Sequence, residues 1–189
     1  MNFELQDSNS SKMILHLGEF SKIDISNNPF GIDCVTLSPR YDHGFGFSQL
    51  HRLVNEKESA SIENSCDFSK LTNQIQLLPK YDCDTWRVIL TPTVKSNDEV
   101  GKNLSKNLMM KLFSLSQSDE IQSKKLLITH FRHLQSYPDK TIDGLLDGLS
   151  EITKHTFLNL QDLYIEITDK FQDRLEKHFR SKFQEIQEY

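Results

Sequence analysis

The order of short apolar runs and amphipathic helical stretches predicts an α/β fold, a three-layer α/β/α domain with a mixed, largely parallel sheet. Three observations carry this. Apolar runs about five residues long recur at 13–17, 33–37, 86–90, 125–129 and 163–167. Two of the later intervals hold segments whose apolar residues repeat every three or four positions, the helical period. Several of the runs are nearly continuous rather than alternating, as strands covered on both faces are.

Residues 1–12 are polar and are expected to be a flexible N-terminus, leaving 13–189 as one domain. Met13, Ile14, Leu15, His16 and Leu17 form the first expected strand, stopped by Gly18. Asn27, Asn28, Pro29 and Gly31 mark a turn, and Asp33, Cys34, Val35, Thr36 and Leu37 the next strand. A helix should follow, with Leu50, Leu53 and Val54 on one side. Residues 56–72 are rich in Ser, Glu and Lys and read as a polar insertion. Ile75, Leu77 and Leu78 end at Pro79, and Trp86, Val88, Ile89 and Leu90 form a strand closed by Pro92. Leu104, Leu108, Leu112 and Leu115 then predict a helix over 101–116. After a strand at Leu126, Leu127 and Ile128, a second helix is expected from about 140 to 152. It carries Ile142, Leu145, Leu146, Leu149 and Ile152, and Gly144 and Gly148 within it cost helix stability. Leu163, Tyr164 and Ile165 are the last strand, and 169–188 a last helix with Phe171, Leu175, Phe179, Phe183 and Ile186 on one face.

A chain of 189 residues can bury one sizeable core. Its net charge of −5 argues against general nucleic-acid affinity, which draws on clustered Lys and Arg. No apolar stretch reaches the roughly 20 residues that span a bilayer, and the first residues lack a basic region followed by an apolar one. No membrane association and an intracellular location, cytoplasmic or nuclear, are therefore expected. Three cysteines, Cys34, Cys66 and Cys83, without a C-x-x-C pair suggest neither a disulfide framework nor a zinc site. No cofactor motif, Walker loop, dinucleotide fingerprint or Ser-His-Asp spacing is present.

Two stretches carry chemistry. The turn S-P-R-Y-D-H-G-F-G-F, at 38–47, joins a strand to a helix. As an anion loop, Gly44 and Gly46 would admit a phosphate, Arg40 would pair with it, and Asp42 or His43 would supply a proton. As a structural corner, its glycines supply positive φ and its aromatics pack inward. The second stretch, Thr129, His130, Phe131, Arg132 and His133, follows a buried strand at the end where open α/β sheets bind ligands. The two histidines can serve as a general base or as phosphate-facing donors, and equally as solvated loop residues. A metal pair would need further ligands that are not evident nearby.

The order of these parts resembles a macro domain, the module that binds ADP-ribose. Leu17-Gly18-Glu19-Phe20 occupies the place of that family's Gly-Asp-Ile step. Asp33-Cys34-Val35 enters the 38–47 turn as the family's second strand enters its glycine-rich loop, and Gly46-Phe47-Ser48 is similar to the end of the Gly-Gly-Gly-Phe-Asp motif of divergent members. Ile89-Leu90-Thr91-Pro92-Thr93-Val94 is similar to their strand ending in Pro-Thr-Val. The resemblance spans about residues 13–188.

The resemblance implies a cleft for ADP-ribose or a related phosphorylated nucleotide, with Glu19 on the adenine amino group. Arg40, Asp42, Gly44, Gly46, Phe47, Thr129, His130, Arg132 and His133 would line the rest. It also implies, at most, an ADP-ribose-phosphate or ADP-ribosyl hydrolase, with His43 or His130 as general base. Two departures bear on this. Arg40-Tyr41 replaces the family's Gly-Asn, and 129–137 contains no glycine where the family's second phosphate loop is glycine-rich. Side chains there would crowd a diphosphate that follows bare backbone. The alternative expectation is a macro-like fold that has lost its ligand site and serves as a protein-interaction subunit, with the C-terminal helix as a partner face.

Overall fold

The structure, a computed structural model, describes residues 2–18, 20, 30–37, 76–77, 87–90, 98–128, 138–166, 173, 177 and 180–181. These contain seven strands, β1 Asn2–Gln6, β2 Lys12–Gly18, β3 Cys34–Leu37, β4 Gln76–Leu77, β5 Arg87–Leu90, β6 Lys125–Ile128 and β7 Asp162–Glu166, and two long helices, α1 Glu99–Ser116 and α2 Pro138–Ile152. One sheet holds all seven strands in the order β1-β2-β7-β6-β3-β5-β4. The five inner strands run parallel, and β1 and β4 flank them antiparallel. The expected mixed, largely parallel α/β sheet is what the chain forms.

The residues expected at the frayed N-terminus form β1 instead. Asn-Phe-Glu-Leu-Gln alternates polar and apolar side chains, so a strand at the sheet's rim can turn Leu5 into the core and leave Glu4 and Gln6 in water. The hairpin turn is closed by Asp7, whose backbone bonds Ser11 and Ser10, and Ser10 adopts φ of 68° within it.

Strand alternation divides the core. Met13, Leu15, Leu17, Cys34, Leu126, Ile128, Leu163 and Ile165 face one side, where α1 and α2 cover them with Leu108, Met109, Leu112, Phe113, Ile142, Leu145, Leu146, Leu149 and Ile152. Each such side chain, when fully buried, contributes about 1.5–3 kcal/mol of transfer free energy. The opposite face is closed as well. Val35, Leu127 and Tyr164 are buried there, with the rings of Phe20 and Phe30 packed on Tyr164. A sheet covered on both sides explains why its strands read as continuous apolar runs.

Helix α1 starts at Asp98, whose carboxylate accepts the amides of Val100 and Gly101 at 3.0 and 3.1 Å, a cap worth about 1 kcal/mol. Its buried stripe differs from the leucine spacing. Leu104 is half exposed, and the buried positions in this part of the helix are Gly101 and Ser105. The reason lies on α2. A Cβ on Gly144 would stand 2.2 Å from the Lys102 carbonyl oxygen, and one on Gly148 would stand 2.7 Å from Met109 Cβ. The two helices touch backbone to backbone, so the seam takes small residues and turns Leu104 outward. Ser105 Oγ donates to the Thr141 carbonyl across it. Gly144 and Gly148, costly within an isolated helix, are what permit the approach.

The expected helix at 48–54, the insertion at 56–72 and Trp86 lie outside the described residues. So do the apolar positions of the C-terminal helix. Asp173, Lys177, Arg180 and Ser181 are helical and exposed, at the spacing of one polar face.

Candidate functional site

The parallel register brings the carboxyl ends of five strands to one edge of the sheet. Gly18 pairs with Glu166 on its last rung, Ile128 pairs with Ile165 and Thr36, and Leu37 pairs with Leu90. From β3 the chain moves outward to β4 and β5, whereas from β6 it passes through α2 to β7 on the other side. Neighbouring strands whose connections depart in opposite directions leave a crevice between their carboxyl ends, where open α/β sheets take ligands. Here that switch point falls between Leu37 and Ile128.

The segments singled out in the sequence follow directly from these strand ends. Arg40, Asp42, His43, Gly44, Gly46 and Phe47 come after β3, Thr129, His130, Arg132 and His133 after β6, and Glu19 after β2. All of them lie outside the described residues. The topology therefore supplies their points of departure, two on adjacent strands at the switch point and one on a strand separated from them by β7.

The described part of this edge holds features that sequence reading passed over. Glu166 is 1% exposed on the last rung of β7, on the same sheet face as Tyr164. A charged residue within an otherwise apolar strand run was the signal available for it. The Phe20 ring lies over bare Gly18, its nearest carbon 3.5 Å from where a Cβ would be. It meets Tyr164 edge-on at 5.2 Å and Phe30 at 5.7 Å. These rings make an apolar wall beside the β2 and β7 ends.

Further along the same face runs a polar chain. His16 stacks on Tyr164 with ring centroids 4.3 Å apart, and its Nε2 lies 2.7 Å from Asp162 Oδ1 while its Nδ1 lies 2.9 Å from Asn2 Oδ1. Lys125 Nζ stands 3.8 Å from Asp162 Oδ2 and donates to the Phe30 carbonyl at 3.1 Å. Burial pushes the Tyr164 hydroxyl's pKa up, and the Asp162 charge adds to it. The His16 contacts to Asn2 and Asp162 and the Lys125 contact to Asp162 tie β1, β2, β6 and β7 together. Among the described residues no group of three or more His, Cys, Asp or Glu is arranged to hold a metal ion, and no helix is long and apolar enough to cross a membrane.

No protein-family model matches the chain, and no curated protein does. Solved structures do match. The Oceanobacillus iheyensis macrodomain with MES bound is similar with a TM-score of 0.68 at 10% identity, over 100% of this chain and 98% of that one. The same macrodomain with ADP gives 0.67 at 10% identity, over 98% and 97%. The macro domain of ganglioside induced differentiation associated protein 2 gives 0.65 at 9% identity, over 87% and 82%. A mutant of the Oceanobacillus macrodomain is recorded with ADPR, at a TM-score of 0.64.

Proposed function

Starting from a divergent macrodomain fold, which the chain shares with these structures over 87–100% of its length, we propose that it binds ADP-ribose or a related phosphorylated nucleotide, with weak or no hydrolysis. The observation that carries this reading is topological. The segments 38–47 and 129–133 depart from β3 and β6, the two neighbouring strands that flank the switch point. Similar folds have been solved with ADP and with ADPR, which makes this ligand class the first to test. In this reading Gly44 and Gly46 admit a phosphate, Arg40 pairs with it, and Glu19 reads the amino group of the base. One domain that includes the β1 hairpin, acting in the cytoplasm or nucleus, is part of the same proposal.

A second reading is favoured by Arg40-Tyr41 and by the glycine-free segment 129–137. Both put side chains where a diphosphate needs bare backbone, and they fit a domain that retains the fold and serves as a protein-interaction subunit.

Thermal unfolding with and without ADP-ribose separates the two. A ligand at 100 times its Kd adds about 2.7 kcal/mol to the folded state. For a chain of this size the midpoint should rise by roughly 5–10 °C. The variant Gly46→Val should lose that rise while unfolding, without ligand, at the wild-type temperature. No rise in the wild-type protein over full titrations with ADP-ribose and with ADP would overturn the ligand reading and leave the interaction subunit.

A further inference from the structure

We draw no further inference here: the strongest candidate, the buried Glu166 carboxylate beside Gly18 on the last rung of the sheet, belongs to the strand-end site already described.

Discussion

The two ends of the sheet use their polar groups differently. At the amino end, carboxylates are committed to backbone amides. Asp33 accepts Ser123 Oγ at 2.5 Å and the amides of Lys124 and Lys125 at 2.8 and 3.3 Å. Asp7 accepts the amides of Asn9 and Ser11, each at 2.8 Å, and that of Phe157 at 2.7 Å. Each joins segments distant in sequence and satisfies donors that the strands leave open. At the carboxyl end, the segments that follow β2, β3, β5 and β6 lie largely outside the described residues, and the bonding that is described includes an ion pair between the helices. Lys140 and Glu99 form an ion pair between the first turns of α1 and α2, with Glu99 exposed and Lys140 partly so. Among the described residues the amino end is braced by these carboxylate–amide bonds, while the carboxyl end is where the segments following β2, β3 and β6 depart.

The largest effect should come from a change that undermines both ends together. Gly144→Val puts a branched side chain against the Lys102 carbonyl, so α1 and α2 must separate. Overpacking of this kind costs about 1–3 kcal/mol, and contact with backbone belongs at the upper end. Calorimetry should show the midpoint falling by roughly 6–12 °C. A fall of under about 2 °C would mean the seam is looser than described.

Asp33→Ala tests the braced end alone. It leaves two backbone amides and a hydroxyl without their acceptor, at a cost of about 1–3 kcal/mol. Chemical denaturation should register that loss, whereas ADP-ribose affinity, if present, should stay within a factor of about two. A parallel loss of affinity in folded protein would break the proposed separation between ends.

Asp7 gives the same comparison a pH axis. Burial pushes its carboxyl up, but the backbone amides of Phe157, Ser11 and Asn9 together outweigh that and leave it below its ordinary value of 3.8. A carboxyl depressed on folding contributes stability above its unfolded pKa and loses it as pH falls through the folded value. The wild-type protein should therefore lose stability steeply below about pH 3.8, and Asp7→Asn should flatten that limb while lowering stability at neutral pH. Identical acid limbs in urea titrations would show that the Asp7 bonds do not persist in solution.

The smallest effect is expected at the exposed Lys140–Glu99 pair. The Lys140 hydrogen bond and charge hold the Glu99 carboxyl low, yet exposed pairs gain little after side-chain ordering is counted. Lys140→Ala should move the midpoint by no more than a few degrees, less than Asp33→Ala does. The reverse order would contradict the contrast between the ends.

Periodicity made the parallel strands and both helices legible, because apolar spacing follows directly from how strands and helices present side chains. It failed for β1, which has a single buried leucine, and for the helix seam, where Gly and Ser rather than Leu face the partner. The braces were not legible at all. Asp33 and Ser123 are 90 residues apart, Asp7 and Phe157 are 150 apart, and His16 and Asp162 are 146 apart. Such pairs exist only once the fold is known. Of the candidate site, the sequence placed each segment after a strand, and the structure adds the shared edge from which those segments leave.

The position of β7 between β2 and β6 has a consequence for how the molecule is assembled. β3, β5 and β6 can pair with one another as soon as residue 128 has been made. The hairpin of β1 and β2, synthesised before them, finds its neighbour in the sheet only in the strand ending at Glu166. Its apolar face must wait for that partner while residues 19–161 are made, since contacts so distant in sequence are among the last a chain can close. The β1–β2 hairpin is thus made before β3, β5 and β6 yet joins the sheet after them.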